Sequence, residues 1–240
     1  MPPILALESI SKRFGAIVIA DRIDLAVDDG EALGVIGPNG AGKTTLFGII
    51  TGTVKPDAGR VLFKGEDITQ LKAERRCRRG IARSFQIPQP FGGMTVFENV
   101  VVAAAFGAGE RDAYDSSAAL LDRCELLGKA NRAAGSLTLL DRKRLELARA
   151  LATKPRLLLL DEVAGGLTEH ECASLIALIR DVRSTGVSIV WIEHIVHALV
   201  SAVDRLVVLH GGRFIAEGNP ATVIRSPQVQ EIYMGIAADA

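Results

Sequence analysis

A loop that can bind phosphate is the feature that most constrains the fold of this chain. Residues 37–45 read Gly-Pro-Asn-Gly-Ala-Gly-Lys-Thr-Thr, which matches the pattern GxxxxGK[ST]. The apolar run Ala32 to Ile36 precedes the loop, and a helix-like stretch, Lys43 to Thr51, follows from its end. A loop between a strand and a helix N-terminus directs several backbone N–H groups, and about half a positive charge, at one place. The sequence therefore predicts that this chain binds a nucleoside triphosphate.

The residue types within the loop fit this interpretation. Gly37, Gly40 and Gly42 lack a Cβ, so the backbone can curve around a phosphate and adopt φ > 0 where needed. Lys43 is expected to reach the β- and γ-phosphates, and the Thr44 hydroxyl is expected to ligate Mg²⁺. The candidate nucleotide-binding residues of the loop are Gly37, Pro38, Asn39, Gly40, Ala41, Gly42, Lys43, Thr44 and Thr45.

Composition argues against several classes of protein. Lysine plus arginine equals aspartate plus glutamate at 28 each, so no overall charge attracts nucleic acid. The dense basic cluster within 75–79 is interpreted as a solvated helix face, and the three scattered cysteines as reduced thiols. The longest apolar run, Val100 to Ala108, is about half of what a bilayer span needs, and no signal-peptide pattern opens the chain. We therefore expect no nucleic-acid partner and no transmembrane segment.

The order of predicted elements indicates an α/β nucleotide-binding core with a helical insertion. Strands are predicted at 17–20, 23–27, 32–36, 60–63, 81–85, 156–161, 188–193, 205–209 and 214–216. The Gly211-Gly212 pair predicts a hairpin between the last two, and Asn219-Pro220 predicts the start of a short helix.

Two capping boxes predict where helices begin. Thr95 with Glu98 opens an alanine-rich helical region that extends to about Arg132. Thr168 with Glu171 opens a helix with an apolar stripe on one face.

An apolar strand that ends in two carboxylates supplies the second half of the predicted chemistry. Leu157 to Leu160 fit a central parallel strand, and Asp161 and Glu162 follow at its carboxyl end, where ligands of such sheets usually bind. Asp161 is expected to hold Mg²⁺, and Glu162 to orient and polarise the water that attacks the γ-phosphorus.

Together, the phosphate loop and the Asp161-Glu162 strand resemble the ATPase subunits of ATP-binding-cassette (ABC) transporters over nearly the whole chain. The resemblance implies a P-loop NTPase core with a mixed, mainly parallel sheet, an N-terminal antiparallel β subdomain and an inserted α-helical subdomain. It implies one ABC ATPase domain, with the core and β subdomain at about 1–86 and 156–240 and the helical subdomain at about 95–153. ATP and Mg²⁺ are the implied cofactors.

Three further residues match family positions. Phe14 matches the aromatic residue that stacks on adenine. Gln86 matches the loop glutamine that senses Mg²⁺ and the attacking water, so it is both a catalytic and a metal-site candidate. His194 matches the switch histidine that contacts the γ-phosphate.

The chain departs from the family at the signature that binds the γ-phosphate held by the partner subunit. The family's Leu-Ser-Gly-Gly-Gln is replaced by Leu137-Thr138-Leu139-Leu140-Asp141, in which only the Thr138 hydroxyl is preserved as a binding group. Leu140 adds a Cβ where a backbone should approach phosphate, and Asp141 adds a negative charge. Thr168 also replaces the family's aspartate in the subunit-crossing loop. Two interpretations remain open: a weakened signature half-site, or tolerated variation with full activity.

Within the family, the stretches 80–86, 94–100 and 192–194 resemble the ATPase subunits of branched-chain amino acid importers. The implied partners are transmembrane permease subunits, a second ABC ATPase subunit (identical or different) and, indirectly, a periplasmic or extracellular solute-binding protein. The implied location is peripheral, on the cytoplasmic face of the inner membrane. The alternatives are a soluble non-transport ABC ATPase and a weakly hydrolysing regulatory partner in a heterodimeric transporter.

Overall fold

The computed structural model describes residues 2–109, 113–194 and 199–234 of the chain. The chain divides into two compact units, one comprising Met1–Lys72 with Ser188–Ala240 and the other comprising Ala73–Val187. Antiparallel N-terminal strands, mainly parallel strands around the phosphate loop and an inserted set of helices confirm the predicted α/β fold class. The finer division into core and helical subdomain stays a prediction.

The secondary structure of the described residues alternates between strands and helices after an all-strand start. The strands are β1 (Leu5–Phe14), β2 (Ile17–Val27), β3 (Ala32–Ile36), β4 (Ala58–Phe63), β5 (Glu66–Asp67), β6 (Ile81–Arg83), β7 (Leu157–Asp161), β8 (Ser188–Ile192), β9 (Arg205–His210) and β10 (Arg213–Gly218). The α-helices are α1 (Lys43–Thr51), α2 (Ala73–Arg78), α3 (Val96–Ala103), α4 (Ala113–Arg123), α5 (Leu139–Ala152), α6 (Glu169–Ser184), α7 (Pro220–Ile224) and α8 (Pro227–Met234). A π-helical turn occupies Ala104–Ala108, and short 3₁₀ turns occupy Leu127–Lys129 and Ala134–Ser136.

An antiparallel sheet in the order β2-β1-β4-β5 begins the first unit. The sequence predicted separate strands at 17–20 and 23–27, but β2 is one strand of 11 residues. Arg22 joins its two halves in the left-handed region, with φ 50°, and its N–H donates to Ser11 Oγ at 3.1 Å. This irregularity lets the strand continue without breaking its pairing to β1.

The phosphate loop leaves the first unit's second sheet from a central strand. β3 pairs in parallel with both β8 and β9, and all five of its residues are buried. β9 pairs antiparallel with β10 around Gly211 and Gly212, which confirms the predicted hairpin. The Asn219 side chain accepts from Ala221 N at 3.0 Å with Pro220 next to it, which confirms the predicted start of α7.

In the second unit β6 and β7 pair in parallel, with Arg83 opposite Leu159. All five residues of β7 are buried, as the four-leucine run predicted. β6 ends at Arg83 rather than at the predicted Phe85, although Ser84 N still donates to Leu159 O at 2.9 Å. Beyond Ser84 the residues are exposed, and this segment carries Gln86.

Both predicted capping boxes are confirmed. Thr95 Oγ1 accepts from Glu98 N at 3.1 Å while the Glu98 carboxylate accepts from Thr95 N at 2.7 Å, and α3 begins there. Thr168 and Glu171 make the same reciprocal bonds at the start of α6. The helical region predicted over 95–132 is divided into α3, the π-helical turn, α4 and a 3₁₀ turn.

The interpretation of the basic cluster within 75–79 as a solvated helix face is wrong in part. Arg75, Arg78 and Arg79 are exposed, but Arg76 on α2 is only 1% exposed, so the helix does not present all its arginines to solvent. The three cysteines are free thiols. Among the residues that the structure describes, no helix has the length and apolar character that a bilayer crossing requires.

Candidate functional site

The phosphate loop has the backbone geometry of an anion site. Helix α1 begins at Lys43, as predicted, and its N-cap residue Gly42 adopts φ 101°. Because Gly42 has no side chain, it cannot cap the first N–H groups of α1, which are left to a ligand. The helix dipole adds a partial positive charge at the same end.

Two glycines of the loop are required by close approach to neighbouring strands. A Cβ added to Gly37 would lie 2.3 Å from the Leu209 carbonyl oxygen of β9. A Cβ added to Gly42 would lie 2.8 Å from Ile19 Cγ2 and 2.9 Å from Ile19 O of β2. The loop therefore lies directly on both sheets of the first unit, and this contact fixes its curvature.

Lys43 is buried, and its side chain bonds back to the backbone of the phosphate loop. Its Nζ donates to Gly37 O at 2.7 Å and to Pro38 O at 3.2 Å, and the residue is 6% exposed. The neighbouring Thr44 is exposed, so its hydroxyl is open to a ligand. A buried ammonium that donates to these uncharged carbonyls is well placed to exchange them for phosphate oxygens, which carry negative charge.

Phe14 and His194 also belong to the first unit. Phe14 ends β1 with half of its surface exposed, and the Lys12 ammonium lies 5.2 Å from the centroid of its ring. Lys12 is held by Asp57 at 2.7 Å, and this hydrogen bond lowers the pKa of the Asp57 carboxyl. His194 follows β8 with an exposed side chain, and its backbone N–H donates to the buried Glu193 carboxylate at 3.0 Å.

The two carboxylates of the second unit occupy different environments. Asp161 is the last residue of β7 and is 2% exposed, whereas Glu162 is partly exposed. Glu162 adopts φ 47°, a left-handed conformation that is strained for a residue with a Cβ by about 1–3 kcal/mol. The strained turn separates the two side chains and gives each carboxylate its own surroundings.

The structure brings together two of the predicted catalytic residues. Gln86 Nε2 donates to Glu162 Oε2, so the loop glutamine holds the carboxylate predicted to orient water. Lys143 Nζ lies 3.5 Å from the Glu162 carbonyl oxygen and supports the strained turn from α5. Gln86 and Glu162 are thus in direct contact, and Lys143 binds the same turn.

One ion pair of this site was not predicted from the sequence. Arg83 Nη2 lies 2.6 Å from Asp161 Oδ2, and the side chains are 11% and 3% exposed. Arg83 lies in the same sequence stretch as Gln86. No local sequence pattern predicts its contact with Asp161, because the two residues are 78 positions apart.

The residues fit a divalent cation. Asp161 Oδ1 is buried and has no hydrogen-bond partner within the described ranges. Buried carboxylate oxygens need a partner, and hard cations such as Mg²⁺ prefer oxygen ligands. No group of three or more His, Cys, Asp or Glu side chains in the described part of the chain could hold a metal by itself. One carboxylate together with nucleotide phosphates and waters is a ligand set that Mg²⁺ commonly takes.

The signature segment differs from the expectation for Asp141. Its carboxylate is 3% exposed and accepts from Lys129 Nζ at 2.7 and 2.6 Å. Thr138, the N-cap of α5, donates to Asp141 Oδ2 at 2.9 Å and accepts from Asp141 N at 3.3 Å. The charge is therefore neutralised within the chain, and the cost of a carboxylate facing a phosphate does not arise.

The remaining signature residues are apolar. Leu139 is 43% exposed and its Cδ2 lies near Gly166, while Leu140 is half-buried. The first turn of α5 therefore presents leucine side chains where the family has glycine, and its own carboxylate sits at the end that attracts anions.

Breaking the Lys129–Asp141 pair should destabilise the fold. We expect Asp141→Asn and Lys129→Met each to lower the free energy of unfolding by about 1–3 kcal/mol, because a largely buried charged hydrogen bond is lost. The double variant should lose much less than the sum, which urea unfolding of all four proteins measures. The exposed pair Arg60–Glu8, at 2.6 Å, is the control and should show little coupling. If the interaction free energy were equal in the two pairs, the Lys129–Asp141 pair would not have the stabilising role that we assign to it.

Comparisons with known proteins agree with this geometry. The family model described as ABC transporter matches residues 20–165. A high-affinity branched-chain amino acid transport ATP-binding protein, BraF of Pseudomonas aeruginosa, is 36% identical over 98% of this chain and 99% of its own length. A lipopolysaccharide export system ATP-binding protein, LptB of Acidithiobacillus ferridurans, is 32% identical over 98% of each chain.

A solved structure gives the same result for the fold. The ADP conformation of MJ1267, an ATP-binding cassette of an ABC transporter, has a TM-score of 0.90 and 31% identity over 98% of this chain and 100% of that chain. The phosphate loop, the buried strand ending in Asp161 and Glu162, and these similarities lead to one conclusion. The chain belongs to the ABC transporter family, as an ATP-binding subunit that hydrolyses ATP to drive transport.

Proposed function

We propose that this subunit powers the uptake of branched-chain or other small amino acids. The observation that carries the proposal is the 36% identity to a branched-chain amino acid transport protein over nearly the full length of both chains. Family membership favours transport over the non-transport alternative. The similar lipopolysaccharide export protein, at 32% identity, makes lipid export the second candidate.

Nucleotide binding in this proposal begins at the phosphate loop. The uncapped N–H groups of α1 hold the triphosphate, and Lys43 exchanges the Gly37 and Pro38 carbonyls for β- and γ-phosphate oxygens. Phe14 stacks on adenine, supported by its half-exposed ring at the end of β1. The adjacent Lys12 adds positive charge beside the ring.

Hydrolysis uses the polar groups that follow the strands. Thr44 and Asp161 are proposed to hold Mg²⁺, with Gln86 sensing it, and the cation neutralises phosphate charge when bound. Glu162 orients the attacking water, and its hydrogen bond from Gln86 fixes the carboxylate. His194, exposed after β8, contacts the γ-phosphate.

ATP-binding subunits of ABC transporters dimerise and work with permease subunits. For this chain we propose transmembrane permeases, a second ABC ATPase subunit and, indirectly, a solute-binding protein outside the membrane. The proposed place is peripheral, at the cytoplasmic face of the inner membrane. In this proposal the closed dimer binds ATP more tightly than the open dimer does. ATP binding would therefore favour closure, and closure would drive the permeases.

The signature geometry favours a different second ATPase chain. Thr138 is engaged with Asp141, and leucines cover the first turn of α5, so this helix offers little to a partner's γ-phosphate. An assembly in which the partner supplies an intact signature needs only this chain's phosphate loop and carboxylates. A weakly hydrolysing regulatory role within such a heterodimer fits the same observation.

The solute can be tested directly. The permease that co-purifies with this chain from detergent-solubilised membranes is reconstituted into proteoliposomes together with the solute-binding protein. We expect these proteoliposomes to take up labelled leucine when ATP is supplied. Uptake should stop when Lys43→Ala replaces the wild-type chain. Co-purification with a lipid-export permease, and no amino acid uptake, would decide for the second candidate.

Lys43→Ala should abolish most ATP binding. Loss of a hydrogen bond to a charged group costs about 1.5–3 kcal/mol, which raises the dissociation constant of ATP roughly 10- to 100-fold. Calorimetric titration with ATP measures it. Lys55→Ala, which removes an exposed lysine outside the loop, is the control. An unchanged dissociation constant in Lys43→Ala would show that the loop is not the nucleotide site.

Glu162→Gln should separate binding from turnover. The amide keeps the size and a hydrogen bond to Gln86 but cannot polarise water as a carboxylate does, so steady-state ATP hydrolysis should fall about 100-fold or more. The dissociation constant of ATP should stay within about 3-fold, a difference of less than 1 kcal/mol. Glu169→Gln, an exposed substitution on α6, is the control. Retained turnover would assign the water-orienting role to another residue.

A further inference from the structure

Two residues at the end of β6 and just beyond it contact the two carboxylates at the end of β7. Arg83 contacts Asp161, and Gln86, three positions on, contacts Glu162. Neither contact was expected, although Gln86 and Glu162 were both assigned to the attacking water. The first one has no part yet in the proposed mechanism.

The Arg83–Asp161 pair is buried. The 2.6 Å contact joins side chains that are 11% and 3% exposed, so both charges are largely removed from water. Desolvating a carboxylate is expensive unless a charged donor offsets it. The guanidinium carbon of Arg83 also lies 5.1 Å from the centroid of the Phe85 ring, and this cation–π contact helps to hold the guanidinium in place.

The pair engages the Asp161 carboxylate on one side. Arg83 Nη2 reaches Oδ2, while Oδ1 is buried without a hydrogen-bond partner in the parts of the chain that are described. A carboxylate with one oxygen fixed and the other available has the form of a metal ligand held by an outer hydrogen bond. Such outer partners set the orientation of the ligand and its affinity for the metal.

We propose that Arg83 is a positioning residue for divalent-cation binding: it fixes Oδ2 of Asp161 so that Oδ1 is presented to the ion that accompanies the nucleotide. This inference rests on the proposed role of Asp161 in Mg²⁺ binding. Arg83 itself touches neither the ion nor the nucleotide in this assignment. Its contribution is the fixed orientation of the Asp161 carboxylate.

A second arginine provides a matched control. Arg149 pairs with the buried Glu146 at 3.0 Å and lies 5.0 Å from the centroid of the Phe91 ring, with side-chain exposures of 21% and 6% for the pair. It has the same combination of buried carboxylate and aromatic neighbour, but Glu146 lies within α5 and is not a proposed metal ligand. Removal of either arginine should weaken the fold, so a loss of stability alone does not separate them.

The experiment measures metal affinity without turnover. The full chain is saturated with ADP and titrated with Mn²⁺, and free Mn²⁺ is followed by electron paramagnetic resonance. We expect Arg83→Met to raise the dissociation constant of Mn²⁺ about 10-fold or more. Arg83→Lys, which keeps a cationic donor, should recover part of the affinity. Arg149→Met should bind Mn²⁺ like the wild type, and ADP binding in EDTA should be unchanged in all variants.

Asp161→Asn separates failure of this inference from failure of the proposed function. If Asp161→Asn weakens Mn²⁺ binding but Arg83→Met leaves it unchanged or tightens it, Arg83 does not position the carboxylate and the inference is overturned. If Asp161→Asn itself has no effect, the metal assignment of Asp161 fails and takes the inference with it. Equal weakening by Arg83→Met and Arg149→Met would show a general loss of structure and would also overturn it.

Discussion

The close contact between the phosphate loop and the strand that carries Leu209 determines the geometry of nucleotide binding. Gly37 leaves no room for a Cβ because the Leu209 carbonyl oxygen would lie 2.3 Å from it. The carbonyl of the same glycine accepts from Lys43 at 2.7 Å. One residue thus joins β9, the loop and the Lys43 ammonium. The first N–H groups of α1 are directed by the same arrangement.

The two carboxylates at the end of β7 show how adjacent residues can occupy different environments. Asp161 is buried against an arginine, and Glu162 is partly exposed against an amide. A charged donor compensates a fully desolvated carboxylate, while an uncharged donor leaves the second carboxylate's charge available to water. The Lys129–Asp141 pair follows the first pattern at the start of α5. In both cases a buried carboxylate forms an ion pair with a basic side chain of the same compact unit.

Features that depend on neighbouring residues could be predicted from the sequence. β3, the loop and α1 have the predicted bounds, and the capping boxes at Thr95 and Thr168 form because each needs only four consecutive residues. The hairpin at Gly211-Gly212 is equally local. The candidate catalytic residues came from recognised motifs, and their roles stay predictions. Local elements are therefore the part of this fold that the sequence predicts best.

Features that depend on residues distant in sequence could not be predicted. Nothing near Asp161 indicates that Arg83 is its partner, and nothing near Asp141 indicates Lys129, because such pairs are set by packing of whole elements. The sequence therefore indicated the negative charge of Asp141 but not the lysine that neutralises it. The single strand β2 was missed for a related reason. Its irregularity at Arg22 depends on a hydroxyl from the adjacent strand, which local propensity does not register.

The left-handed backbone at Glu162 has a consequence for how this protein could change under selection. Glycine adopts such a conformation without strain, whereas a residue with a Cβ is strained there by about 1–3 kcal/mol. A glutamate at this position therefore costs folding free energy, and the proposed water-orienting carboxylate accounts for why that cost is kept.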